Sequence, residues 1–320
     1  MTAQKDIIGD PKYIPVHNCG FVGLVDHMGS DAAIVQAARV SYGIGTKTVN
    51  EDRGLIRYLI RKRHTSPIEM AVVKLHVKMP IFLARQWIRH RTASINEYSG
   101  RYSIMPDETY LPSADVLQPQ STTNKQGREG ELTDREKEGI TWLMQAACDQ
   151  SFEVYDALIR KGNDYESEYE RRNVIYDPYE PDDPWFDENY PGVARELARI
   201  VLPLATYTEF YWKQDLHNLL HLIKLRRDRH AQKEIQDYAE AVFQLIKPLF
   251  PMTIEAWEDY VWNGKNLSVM DVALLKELLG PGATALLDQL ITQAGGEKEF
   301  AQSRNMSLRE LREFRESWEL

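Results

Sequence analysis

Hydrophobic and polar residues alternate with a period of two between Val72 and Met79, where Val and Leu alternate with Lys and His. This is the period of a strand with one buried face. Residues 16–29 mix apolar with small residues, and residues 207–212 are rich in aromatic residues and Thr. Both compositions favour extended structure. The pattern therefore predicts strands in these three places.

Helical spacing of apolar residues, with capping residues at the starts, marks most of the remaining chain. Asp31 and Asp215 precede two of these segments as N-caps, and Ser66 and Ser307 each stand three residues before a Glu, as in a capping box. The predicted helices cover residues 31–40, 51–62, 81–90, 133–161, 216–227, 229–249, 269–279, 284–293 and 307–320. Residues 113–133 are polar and predict a loop, and the acidic, aromatic residues 163–190 predict an insertion at the surface.

Composition limits the class of protein. The chain has 320 residues, of which 43% are hydrophobic and 27% charged, as in ordinary soluble proteins. Its net charge of -9 argues against a nucleic-acid polymer as partner. Two cysteines form no disulfide framework, and no apolar run is long enough to span a membrane. With no signal peptide visible at the N-terminus, we expect a cytoplasmic protein.

Residues 89–102 concentrate unusual chemistry, because this short stretch holds three arginines, a histidine, a glutamate, an asparagine and two serines. Closely spaced guanidinium groups repel one another unless anions lie among them, and one carboxylate cannot balance three. The stretch thus predicts a pocket for an anionic ligand such as a phosphate ester. The alternative is a solvated loop that follows a basic helix end.

The order of residues in this stretch resembles the signature of the flavin-dependent thymidylate synthases. Arg89-His90-Arg91, Ser94, Asn96-Glu97, Ser99 and Arg101-Tyr102 fill every fixed position of that pattern. Residues 64–69 are similar to a second family segment. Three further parts match the family's second half in order: Arg199 to Pro203 with Tyr207-Thr208, then Leu225-Arg226, then His230-Ala231-Gln232. The resemblance covers about residues 13–111 and 193–262.

The resemblance implies roles for individual residues. Arg226 would contact the uracil base and act as the catalytic group, by stabilising charge on the ring. The residues implied for dUMP are Gln86, Arg89, Ser99, Gly100, Arg101, Arg199 and Arg226. Those implied for FAD are His64, Ser66, Arg89, His90, Arg91, Glu97, His217, Asn218, His221 and His230. Asp215 and His217 replace Asn and Arg of some members, which leaves their contacts open.

The resemblance also implies a reaction and a fold. FAD would relay a hydride from NADPH, methylenetetrahydrofolate would supply the carbon, and dUMP would become dTMP without an enzyme nucleophile. The fold would be an α/β one of the α+β type, with helices around a central antiparallel sheet. Active sites would lie between the subunits of a homotetramer. We expect a catalytic domain over residues 1–265, with an insertion at about 113–190, and a helical C-terminal extension over 266–320.

Two other functions fit parts of the sequence. His217 and His221 stand four apart on a predicted helix, and with Asp215 they could form the zinc site of a hydrolase. No third histidine ligand is obvious, and we predict no metal. The stretch 89–102 could also bind RNA through its Arg, His and Tyr side chains. The net acidic charge argues against that module.

Overall fold

The chain forms two compact units in the computed structural model, which describes residues 1–2, 4–7, 9–40, 49–159, 191–280 and 282–318. The first unit contains Met1–Ala38 and Thr65–Phe250. The second unit contains Arg39–His64 and Pro251–Leu320. Each unit therefore combines two separate stretches of sequence. The predicted division at residue 265, between a catalytic region and an extension, stays a prediction.

The secondary structure of the described residues is numbered in chain order. The strands are β1 Tyr13–Val16, β2 Gly20–Met28, β3 Val72–Pro80, β4 Ser94–Glu97 and β5 Tyr207–Asp215. The helices are α1 Asp31–Arg39, α2 Val49–Arg61, α3 Ile81–Trp87, α4 Asp134–Ile159, α5 Arg195–Ala198, α6 Leu216–Arg226, α7 Lys233–Ile246, α8 Pro251–Trp257, α9 Val269–Leu279, α10 Ala283–Gln293, α11 Glu297–Ser303 and α12 Leu308–Trp318. A π-helical turn, Glu258–Trp262, continues α8.

The first unit is built on an antiparallel sheet with the strand order β1-β2-β3-β5-β4. The middle strand β3 is its most buried part, since Val73, Leu75, Val77 and Met79 are all 0% exposed. Helix α7 packs against β1 and β2, and α6 follows directly from β5. The predicted fold class, helices around a central antiparallel sheet, is confirmed.

A smaller apolar cluster lies beside the sheet. Helix α4 contributes Phe152 and Tyr155, which pack against Met105 and Ala198. The Tyr155 hydroxyl accepts a hydrogen bond of 3.1 Å from the Met105 amide. This cluster fixes the end of α5, next to the predicted nucleotide-binding Arg199, and the loop after β4, which carries Ser99, Gly100 and Arg101.

The second unit packs α2 against α8 and the C-terminal helices. Arg57 of α2 is 3% exposed, and its Nε donates to Glu310 of α12 over 2.8 Å. The apolar core of the C-terminal helices consists of Leu287, Ile291, Phe300, Ala301 and Leu311. Buried charges must be paired to be tolerated, so the Arg57–Glu310 pair links the two stretches of sequence that make this unit.

Several local predictions are confirmed. The Asp215 carboxylate caps α6 by accepting from the Asn218 amide at 2.9 Å. Ser307 and Glu310 form the expected capping box at the start of α12. No helix in the described part of the chain is long and apolar enough to cross a membrane. The predicted surface insertion at 163–190 lies outside the described residues.

Other local predictions are wrong. Residues 16–29 are not one strand, because His17 adopts a φ of 56° and turns the chain between β1 and β2. Ser66 does not cap a helix: the amides of Ile68 and Glu69 donate to the Thr65 carbonyl, and only a 3₁₀ turn follows. Helix α3 ends at Trp87, before the arginine-rich stretch, and α7 begins at Lys233 rather than at residue 229. Helix α11 was not predicted.

Candidate active site

Arg226, the predicted catalytic residue, stands at the end of α6 with two of its donor atoms held by the protein. Its Nη2 donates to the Gln86 carbonyl at 2.9 Å, and its Nε donates to His90 Nε2 at 3.1 Å. Leu219 and Leu222 lie on the same face of α6, seven and four residues before Arg226, and are buried, which fixes the rotation of the helix. The guanidinium is therefore positioned before any ligand binds. Burial also lowers the pKa of Arg226.

His90 is the acceptor that orients Arg226. The side chain is buried, and its ring lies edge-on to that of His221 with 6.0 Å between the centroids. Burial, followed by the charges of Arg226 and His221, lowers the pKa of His90 to about 4. The imidazole is therefore neutral near pH 7. Its Nε2 must carry the lone pair, because Arg226 donates to it.

We expect the stability of the protein to depend on pH through His90. The folded pKa of about 4 lies below the ordinary value of 6.5, so the unfolded chain binds more protons between these two pH values. The free energy of unfolding should thus fall as pH drops from 6.5 to 4. His90→Gln, with an amide that cannot titrate, should flatten this part of the profile. Urea unfolding of both proteins at several pH values measures the difference, and identical slopes would contradict the assignment.

Gln86 is held by a residue that the sequence analysis did not assign. Its Nε2 donates to Gln232 Oε1 at 2.7 Å, while its backbone carbonyl accepts from Arg226. Gln232 lies directly before α7. The end of α3, the end of α6 and the start of α7 thus meet at one polar cluster, which consists of Gln86, His90, His221, Arg226 and Gln232.

A second cluster contains the residues predicted to bind the nucleotide. A Cβ on Gly100 would come within 3.3 Å of Arg199 Cδ and 3.0 Å of Met105 Sδ, so glycine lets these side chains approach the backbone. The Arg101 guanidinium pairs with Glu196 at 3.1 Å, and both side chains are more than half exposed. Ser99, Gly100, Arg101 and Arg199 are therefore grouped around the short helix α5. An exposed ion pair of this kind contributes little stability.

The arginine-rich stretch includes an edge strand that was predicted as loop. Strand β4 pairs with β5, and Glu97 accepts a hydrogen bond of 2.6 Å from the buried Thr208 hydroxyl. Arg89 and Arg91 are exposed between α3 and β4, and within the described residues neither makes an ion pair. Unpaired guanidinium groups of this kind are suited to an anionic ligand.

The remaining residues predicted for the flavin lie in three places. Asn218 is at the start of α6, where its side chain donates to the capping Asp215, and His217 precedes it. Ser66 lies just before the 3₁₀ turn Ile68–Met70, which contacts α6, and the Leu216 amide donates to the Ala71 carbonyl at 2.8 Å. His230 is exposed and contacts Asp228. His64 belongs to the second unit.

Neither the zinc alternative nor a thiolate mechanism gains support from the geometry. Asp215 uses both carboxylate oxygens on Asn218, and no group of three or more metal-binding side chains occurs within the described ranges. Cys19 and Cys148 are free thiols, and burial raises the pKa of each. A raised pKa disfavours the thiolate that a nucleophile requires.

Comparison with known proteins identifies the family. Residues 23–252 match the family model described as thymidylate synthase complementing protein. A flavin-dependent thymidylate synthase of Thermus thermophilus is 49% identical over 271 residues, which are 85% of this chain and 87% of that protein. The corresponding protein of Ruegeria pomeroyi is 42% identical over 302 residues, 94% of this chain and 86% of its own length. That second match extends well beyond the family model.

Two solved structures of a nucleotide methylase resemble this chain. The UMP/dUMP methylase PolB from Streptomyces cacaoi, bound with 5-Br dUMP, matches with a TM-score of 0.61 and 30% identity over 77% of this chain and 98% of that one. The same enzyme bound with 5-Br UMP has a TM-score of 0.59 and 31% identity over 77% of this chain and 97% of its own.

The fold and the sequence relatives are thus those of a family of nucleotide-methylating enzymes. The chain belongs to the flavin-dependent thymidylate synthase family, as the sequence signature indicated. It is an FAD-dependent methyltransferase, and NADPH and methylenetetrahydrofolate are the usual co-substrates. The family and its structural neighbours support methylation of dUMP.

Three residues that contact the predicted site were not assigned from the sequence. Gln232 and Thr208 lie within the segments that resemble the family, so the sequence indicated that they belong to the site. Which residues they contact follows only from the fold. Glu196 lies in the segment just before Arg199, but the sequence does not show that it pairs with Arg101. Each contact joins residues that are distant in sequence.

Proposed function

We propose that this protein converts dUMP to dTMP with methylenetetrahydrofolate and NADPH, through bound FAD and without an enzyme nucleophile. The observation that carries the proposal is the fixed guanidinium of Arg226, oriented by His90 and the Gln86 carbonyl. Supporting it, both cysteine thiols have raised pKa values and neither lies in the Arg226 cluster.

Arg226 would activate the uracil ring by electrostatic stabilisation. Its Nη1 has no hydrogen-bond partner among the described residues, so that side of the guanidinium can face a ligand. A planar cation against N3 and O4 stabilises negative charge there, and this makes C5 more nucleophilic. Because His90 and Gln86 hold the group beforehand, little reorganisation is needed when charge develops.

The nucleotide phosphate would bind at the Ser99–Arg101 turn with Arg199. We predict that Glu196 competes with the phosphate for Arg101.

Glu196→Gln should tighten dUMP binding by up to about fivefold, since an exposed ion pair is worth no more than about 1 kcal/mol. Arg101→Ala should weaken binding tenfold or more, because a charge-assisted bond of roughly 1.5–3 kcal/mol is lost. Calorimetric titration with dUMP measures both, and an unchanged affinity in Arg101→Ala would assign this arginine to another ligand.

When bound, FAD would supply the hydride-transfer chemistry between NADPH and the one-carbon unit. The donor set fits it: Arg89 and Arg91 are exposed cations without ion pairs in the described part of the chain, and Asn218 and His217 lie at a helix start, where anions are favoured. Together with Ser66, His221 and His230 they would hold the flavin nucleotide. For His64, a role toward FAD is proposed from the family resemblance alone. Glu97 would be held in place by Thr208.

A homotetramer is the proposed assembly, with active sites between subunits. Helix α4 supports it, because Trp142 and Leu143 are 59% and 61% exposed and Met144 and Val154 are also exposed. Such neighbouring apolar side chains are typical of a surface covered by another subunit. Two free cysteines agree with the cytoplasmic location predicted from the sequence.

Purification provides the direct test. The protein should be yellow, release FAD on denaturation, elute near four times the chain mass of 37.1 kDa and form dTMP from dUMP with the two co-substrates. A colourless monomer that stays colourless after FAD is added would contradict the proposal. Bound zinc with hydrolase activity, or RNA binding without flavin, would favour one of the two alternatives.

A further inference from the structure

The end of α2 places His64 by a defined backbone turn. The Arg63 amide donates to the Ile60 carbonyl at 3.2 Å, and the His64 amide donates to the Leu59 carbonyl at 2.9 Å. Arg63 takes the left-handed φ of 58° that this helix ending requires. His64 is therefore the first residue after a closed helix end, and its backbone position follows from α2.

The ring of His64 stacks on Tyr58, which lies six residues earlier in the last turn of α2. The two centroids are 5.6 Å apart and the planes differ by 22°. His64 is exposed, so the stack with Tyr58 is the contact that favours one orientation of the imidazole.

The C-terminal helix covers the same tyrosine. The Arg309 guanidinium of α12 lies 4.2 Å from the centroid of the Tyr58 ring. Arg309 is itself held by Glu313, which accepts from its Nε at 2.9 Å and also pairs with Arg61 and Lys62 at the end of α2. Two side chains of α12, Arg309 and Glu313, thus contact the end of α2 that precedes His64, all within the second unit.

We propose that Arg309 is a positioning residue for flavin binding, which acts through Tyr58 to orient His64. This rests on the proposed role of His64 toward FAD. The C-terminal helices would then influence flavin binding through His64, although the family model ends at residue 252. A cation over the tyrosine ring restricts the ring, and a restricted ring offers the imidazole a fixed surface for stacking.

The test measures FAD affinity on the full-length apoprotein by flavin fluorescence. Arg309→Gln should raise the Kd for FAD roughly two- to fivefold, the range expected for an exposed cation–π contact. Arg309→Lys should restore part of the affinity, and Tyr58→Phe, which keeps the ring, should bind like wild type. Tyr58→Ala should bind at least as weakly as Arg309→Gln.

A matched control lies on the same helix. Arg312 is 67% exposed at its side chain, similar to 64% for Arg309, and its nearest ion-pair partner, Glu297, is 3.9 Å away. Arg312→Gln should leave the Kd for FAD unchanged. The visible circular dichroism of bound flavin should change in Arg309→Gln but not in Arg312→Gln, while their thermal unfolding midpoints agree. A general loss of structure would not give this combination.

The outcomes separate this inference from the proposed function. If His64→Ala weakens FAD binding but Arg309→Gln behaves like Arg312→Gln, the positioning role is wrong and the flavin role of His64 stands. If His64→Ala binds FAD like wild type, the flavin role of His64 is wrong, and the inference falls with it. Wild-type protein that does not bind FAD would overturn both.

Discussion

Arg226→Ala should lower the rate of dTMP formation by about 10²- to 10³-fold, because removal of one preorganised donor to a developing negative charge typically has that effect. Arg226→Lys should recover only part of the rate. An ammonium cannot bond His90 Nε2 and the Gln86 carbonyl together and still face the ring with a planar group. The assay follows dTMP with NADPH and methylenetetrahydrofolate on flavin-loaded, folded variants.

The controls for this experiment address the rival mechanism and the general loss of charge. The double variant Cys19→Ser, Cys148→Ser should keep most of the activity, since no thiolate takes part. Arg135 is exposed on α4, outside the Arg226 cluster. Arg135→Ala removes one positive charge there and should leave the rate of dTMP formation unchanged. An inactive cysteine double variant together with a normal Arg226→Ala would show that the mechanism is thiolate-based.

Glu310→Ala should reduce the free energy of unfolding by about 3–5 kcal/mol, the cost of removing one partner from a buried ion pair. Glu310 is 6% exposed and accepts from Arg57 at 2.8 Å, from Arg61 at 3.1 Å and from the Tyr260 hydroxyl. Its loss leaves Arg57 buried with fewer carboxylates. Urea unfolding by circular dichroism measures the change.

Glu316→Ala is the matched control on the same helix. Glu316 is exposed, so its removal should change the free energy of unfolding by no more than about 0.5 kcal/mol. Equal stability of the Glu310 and Glu316 variants would show that the C-terminal helix does not hold α2 through this carboxylate.

The sequence predicted correctly those strands and helix caps that depend only on residues close together in the chain. The strand at β3 and the Asp215 cap of α6 depend on neighbouring residues alone, and both are confirmed. The predicted single buried face of β3 is wrong, because His76 and Lys78 on the polar face are also buried. The Ser66 capping box failed although its residues match, because the Thr65 carbonyl closed a tighter 3₁₀ turn instead. The hairpin between β1 and β2 was missed because its left-handed position is occupied by His17, a residue that does not by itself signal a turn.

The candidate site was predictable as a set of residues but not as an arrangement. The motif named Gln86, His90 and Arg226, yet the bonds between them depend on where α3 and α6 end in space. The contact of Thr208 with Glu97 depends on the register between β4 and β5. Residues 94–97 carry no apolar alternation from which that register could be inferred, and all four are exposed.

The division of the second unit between two stretches of chain determines when it can assemble during synthesis. Helix α2 leaves the ribosome early, with the apolar side chains of Ile56, Leu59 and Ile60 that are buried in the finished protein. Their partners lie after residue 250, so most of the first unit is translated before α2 can pack. Helix α2 therefore becomes packed only after the residues beyond 250 have been made, well after its own synthesis.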